Sequence, residues 1–195
     1  YFTGYEAMQT ERLTMLVLPA AGPAMLLVPE LEAPRIEPRV DLFEVRPWAE
    51  SENPVGLVAE QVRGWSAALI GDHTWATFVI GLQEELPDLR FGRASQVTSL
   101  LRMRKDPTET GALRRAGQAA DRVVARLREM TFSGLTEREL SRQIAEMTVE
   151  EGHEIAEFGI VASGPNGASP HHESGEKVMR PGEEVVNDFG GRVEG

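Results

Sequence analysis

The 195-residue chain contains no cysteine, which excludes disulfides, thiolate nucleophiles and cysteine-ligated zinc. It has no apolar run near the roughly 18 residues that a membrane helix needs, so no spanning segment and no membrane partner are expected. Positive charge is scarce. Twenty Lys and Arg face thirty-one Asp and Glu, a formal net charge of -11, and such a surface repels phosphate backbones, so nucleic acid is not an expected partner. There is no secretory signal pattern, no repeat at a fixed period and no low-complexity segment, and a cytoplasmic location is expected.

What is present resembles ordinary globular composition: 41% hydrophobic and 26% charged residues, in a length that suits one or two units. The runs "RLTMLVLP" (12–19) and "AMLLVP" (24–29) flank a Gly-Pro turn and predict a hairpin, with "VDLFEV" (40–45) as a third strand. Asn53 as N-cap, Pro54 at the first helical position and Val55, Leu57, Val58 and Val62 predict a helix. "SAALIGD" reads as strand, "TWATFVIGLQEEL" as a helix ending before Pro87, and "LRFGRA" as another strand. This alternation indicates a small α/β domain.

The charged stretch "RMRKDPTETG" predicts a domain boundary near Lys105, giving domains over 1–105 and 106–195. Asp106, Pro107 and Glu109 carry the signature of a helix start, and Leu113, Ala116, Ala120, Val123, Leu127 and Met130 form its apolar face. A second helix begins with the capping box of Thr136 and Glu139 and buries Leu140, Ile144 and Met147. "EFGIVASG" and "EEVVNDFGG" then read as strands flanking a loop that holds His171 and His172.

In the last strand Val186 and Asp188 share one face while Val185, Asn187 and Phe189 share the other. With both faces covered Asp188 would be buried and would need a compensating cation, a metal ion or an Arg. Alternatively "ND" followed by "GG" begins a turn, and Asp188 bonds its own backbone. His171 and His172 are either polar loop residues or one of them reaches a site, since neighbours in an extended segment point apart. His73 and His153 receive no role. "DFG" (188–190) copies a kinase triplet without the other kinase motifs, and "GPNG" (164–167) lacks the Lys-Ser/Thr of a phosphate loop.

Taken together, Ser163 to Asn166, Pro170-His171, Pro181-Gly182 and Asp188 to Gly190 resemble, in order and spacing, the pita-bread-fold metallopeptidases: prolidase, aminopeptidase P and creatinase. "SLLRMRKDPTETGALRRAGQAAD" resembles the family's linker and first catalytic helix, and "YFTGYE" an early strand motif of its N-terminal domain. The resemblance implies an α/β creatinase/prolidase-like N-terminal domain followed by an incomplete α+β pita-bread catalytic domain. It implies an exopeptidase, a Xaa-Pro dipeptidase or aminopeptidase, that acts on peptides with Pro at the second position through two divalent ions (manganese, cobalt or zinc). Asp188 matches the first metal-ligand Asp, and His171 the loop histidine that donates to the substrate; His172 matches no family role. A homodimer is also implied.

The family's second Asp would fall at position 199, and the chain runs to Gly195. The expectation is a piece of a longer enzyme, lacking its start, holding one of five metal ligands, binding no metal and inactive by itself. A creatinase-like non-peptidase hydrolase and a non-catalytic dimerisation fragment are the alternatives.

Overall fold

The computed structural model describes residues 2–8 and 10–194, and its contacts divide the chain into two units, Tyr1–Met103 and Arg104–Gly195. In the first, β1 (Met15–Val17) and β2 (Ala24–Pro29) form the expected antiparallel hairpin, and β3 (Phe43–Trp48) lies parallel to β2. The central strand β2 is buried on both faces, which is why it reads as a continuous apolar run and does not alternate. Leu27 faces a core with Val17, Trp48, Val58 and Leu82, while Leu26 and Val28 pack with Ile36 and Phe43 on the other side.

Two helices, α1 (Pro54–Gln61) and α2 (Ala76–Glu85), alternate with the parallel pair β4 (Ala67–Ile70) and β5 (Arg90–Arg93). The Asn53 side chain accepts from the Val55 amide at 3.1 Å, the N-cap that its position predicts. One helix was not read from the sequence: α3 (Ser95–Arg102), whose Val97, Leu100 and Leu101 are exposed. The "YFTGYE" segment also differs from the early strand motif it resembles. Residues 2–6 form no strand, and the Thr3 hydroxyl accepts from the Tyr5 amide, a local bond that competes with strand pairing; Tyr1 lies outside the described residues.

The second unit consists of α4 (Pro107–Arg128), α5 (Glu137–Glu150), β6 (Ile155–Ser163) and β7 (Val185–Arg192). Both helices start with complete capping boxes, Asp106 with Glu109 and Thr136 with Glu139. The core joins Val123 and Leu127 of α4, Leu140, Ile144 and Met147 of α5, Val161 of β6 and Met179, with Val185 and Phe189 of β7 against it. Leu113, expected in this face, is 60% exposed. The buried part of α4 begins only at Ala119, so the apolar stripe continues past the length of helix that has packing partners.

β6 and β7 pair antiparallel, with Ile160 opposite Asp188 and a bulge between Ala156 and Phe158. This excludes the turn reading of "NDFGG", because Gly190 and Gly191 lie inside the strand. They are there for close approach: a Cβ on Gly190 would stand 2.8 Å from the Phe158 ring, and one on Gly191 would stand 2.4 Å from the Ile155 carbonyl oxygen and 2.8 Å from the His153 ring. His153 is accordingly a packed structural residue, buried, with its Nδ1 3.2 Å from the Thr148 carbonyl oxygen. Replacing Gly191 by Ala should destabilise this unit by roughly 1–3 kcal/mol through overpacking. Gly117→Ala, in α4 where an added Cβ meets nothing within 4 Å, should instead stabilise it by about 0.5–1 kcal/mol. Urea unfolding of both variants checks the pair, and equal midpoints for the two would contradict the packing argument.

Candidate active site

The first residue of α5, Glu137, is completely buried, although a glutamate there ordinarily faces solvent. Its position at a helix N-terminus favours a negative charge, but the main compensation comes from further along the chain. Oε1 accepts from the Ser163 amide (2.8 Å), the Ser163 hydroxyl (2.8 Å) and the Asn166 side-chain amide (2.9 Å). Oε2 lies 2.8 Å from His172 Nε2 and accepts from Asn166 (3.2 Å) and the Gly175 amide (3.4 Å). An ionised carboxylate only accepts, so Nε2 of His172 carries the proton in this pair.

Burial pushes the Glu137 carboxyl up, and the bonds from His172, Asn166 and Ser163 outweigh it, so its pKa falls from 4.5 to about 2. Around this centre Lys177 donates to the Ser163 hydroxyl at 2.7 Å and to Glu183 at 2.8 Å. Lys177, with the Arg180 amide, holds the Glu183 carboxyl below its usual range. Backbone bonds fix the same segment to the start of α5: the Glu137 amide donates to the Lys177 carbonyl at 3.1 Å and the Arg138 amide to the Gly175 carbonyl at 3.0 Å. Further along β6, the Ser174 hydroxyl accepts from the Val161 amide and donates to the Val161 carbonyl, and Ser141 of α5 donates to the Gly159 carbonyl at 2.6 Å.

The two histidines therefore separate as neighbours in a loop should. His172 turns inward to Glu137 and is a specific anchor, where the family resemblance offered it no role; His171 is exposed in the turn before it. On β7, Val185, Asn187 and Phe189 are half-buried, and Val186 and Asp188 are exposed. The alternation holds, but the burial of Asp188 that two covered faces would give does not occur, because the helices cover only the Val185 and Phe189 side. The short 3₁₀ helix Gly164–Ala168 passes over the other side, where a Cβ on Gly167 would be 3.4 Å from Val186 Cγ2. The loop that carries His171 thus begins over the face that carries Asp188.

Glu137 was not singled out in the sequence, and Asn166 entered only as the end of the Ser163–Asn166 motif, with no role given to it. A signal existed in "TERE", where Glu139 is consumed by the cap and leaves Glu137 without a local task, but its partners lie 26 to 38 residues away. Among the described residues no group of three or more His, Asp and Glu side chains could hold a metal ion. One exposed carboxylate does not make a metal centre. The residues of this chain do not by themselves fit a metal pair, and no metal-borne step follows from them.

Two family models match in succession, the Creatinase/Prolidase N-terminal domain over residues 1–104 and Metallopeptidase family M24 over residues 111–195. The chain belongs to the creatinase and prolidase family of pita-bread metallopeptidases. A probable dipeptidase PepE of Mycobacterium tuberculosis is 40% identical over 195 residues, which are 98% of this chain and 52% of that protein. The crystal structure of dipeptidase PepE from Mycobacterium ulcerans is similar with a TM-score of 0.87 and 38% identity, over 96% of this chain and 52% of that one. A recombinant prolidase from Thermococcus sibiricus gives a TM-score of 0.87 at 32% identity, over 98% of this chain and 53% of that one. The chain spans about half the length of these relatives. It contains the family's N-terminal domain and part of its M24 domain.

The Glu137 centre predicts an acid dependence whose sign follows from its depressed pKa. Its contribution to stability is complete above the unfolded-state value near 4.5 and is lost as pH falls from there towards about 2. The difference between wild type and Glu137→Gln in urea unfolding should therefore shrink over that window, from on the order of 3 kcal/mol near neutrality. A difference that does not change with pH would show that folding leaves the pKa of this carboxyl unshifted.

Proposed function

We propose that the full-length protein to which these residues belong is a metal-dependent exopeptidase that removes the N-terminal residue from dipeptides or short peptides, with Pro accepted at the second position. The observation that supports this reading is the approach of the 3₁₀ helix preceding His171 to Val186, on the face of β7 where Asp188 is exposed. The 40% identity to a probable dipeptidase over 98% of the chain supports a peptidase, and the likeness to a prolidase structure supports the preference for Pro.

In this reading Asp188 would be one oxygen ligand of a two-ion centre completed by residues of the full-length protein; when bound, such ions would supply activation of water and polarisation of a scissile carbonyl. His171 is the catalytic residue of this chain, an exposed imidazole N–H free to donate to the reacting carbonyl oxygen as negative charge develops there. The opposite face of β7 is held by the helical core, so the strand keeps Asp188 at a fixed height and direction. The domain division over 1–105 and 106–195, a homodimer and a cytoplasmic location belong to the same proposal. So does the inactivity of residues 1–195 alone, since among the described residues no group of three or more His, Asp and Glu side chains could hold a metal ion.

Hydrolysis of a Xaa-Pro dipeptide by the full-length protein with manganese tests the proposal. His171→Ala should lower kcat by about 10²–10³-fold, the usual effect of losing one donor to a developing oxyanion. Asp188→Asn should abolish both metal binding and turnover, and the 195-residue chain should show neither. Wild-type turnover in the Asp188→Asn protein would sink the proposal.

A further inference from the structure

Four positions in residues 163–175 are bonded to a single carboxylate. Ser163 is bonded through its amide and hydroxyl, Asn166 and His172 through their side chains, and Gly175 through its amide. Both ends of the loop and its two inward polar side chains thus converge on Glu137. The anchor at His172 is one residue from His171, which is exposed in the turn that leads into it, so the bond that holds His172 inward also fixes the backbone from which His171 projects. We propose that Glu137 is a positioning residue, whose buried carboxylate fixes His172 and Asn166 and so presents His171 over the Asp188 face. This rests on the peptidase reading for the task of His171, and adds to it the residue that sets its direction.

The chemistry requires a carboxylate and not merely a polar side chain. Oε1 and Oε2 each receive three donors. An amide at 137 would set its NH₂ against N–H groups on whichever side it occupied. Glu137→Gln preserves size and shape while it releases the loop. The Glu139 cap of α5 and the β6–β7 pairing do not depend on this side chain.

The test is a double-mutant cycle in the full-length protein with manganese and a Xaa-Pro dipeptide, at a temperature where circular dichroism shows every variant folded. Glu137→Gln and His172→Ala should each lower kcat by up to about 100-fold, the effect of misplacing a reacting group by an ångström, with KM little changed. Glu137→Gln combined with His171→Ala should be no slower than His171→Ala alone, because both act through one group. Amide hydrogen exchange should accelerate across residues 164–175 in Glu137→Gln while β6 and β7 stay protected. His172→Ala removes one anchor at a partly exposed side chain, so it keeps the question open to measurement should Glu137→Gln fail to fold. Wild-type kcat in the anchor variants, a multiplicative loss in the double variant, or unchanged loop exchange would each overturn the inference. A His171→Ala protein with full activity would instead refute the assignment of His171, and the positioning role with it.

Discussion

A fully buried, ionised glutamate is the constraint on which the second unit depends. Removing a carboxylate from water costs several kcal/mol unless charge-assisted bonds replace the lost hydration. Glu137 meets this condition only when β6 has been completed as far as Ser163, the 3₁₀ turn has brought in Asn166, and the chain has doubled back to place His172 and Gly175. A loop rich in Gly, Ser and Pro would otherwise have many conformations of similar energy. One charge selects among them, because any other arrangement leaves it unpaired.

The second unit is consequently asymmetric about β7. One face is conventional, with Val185 and Phe189 against a helical core whose members are nearly all below a tenth exposed. The other carries Val186 and Asp188 in the open and is approached by the loop that Glu137 holds. Packing behind the strand and a loop bonded to Glu137 in front hold the two sides of β7 in different ways. The first unit shows no such asymmetry, since its central strand is covered on both sides.

The sequence made most of this legible where the signal is local. Asn53 with Pro54, Asp106 with Glu109 and Thr136 with Glu139 all cap as their spacing predicts, because a cap is formed within one turn. The stripe at Leu140, Ile144 and Met147 was equally plain. Leu113 misled because periodicity reports which side of a helix is apolar, and not how far along it a partner extends. Gly190-Gly191 misled because a glycine pair signals both turns and close approach, and only the Phe158 and His153 rings decide between them. Glu137, Asn166 and His172 were not identified as a group because their meeting is a property of the tertiary fold. The family pattern, which runs from Ser163 to Gly190, includes Ser163 and Asn166 but not Glu137, which lies 26 residues before Ser163.

The hydroxyls of Ser141 and Ser174 and the carboxylate of Glu137 occupy the backbone groups of Gly159, Val161 and Ser163 that point away from β7. In an antiparallel pair these outward groups are the ones that would recruit a neighbour. Side chains from α5 and the loop therefore act as a false strand along that margin. The margin is guarded against sheet extension by a stray peptide or a second copy, which would have to strip a buried charge of its donors before it could dock.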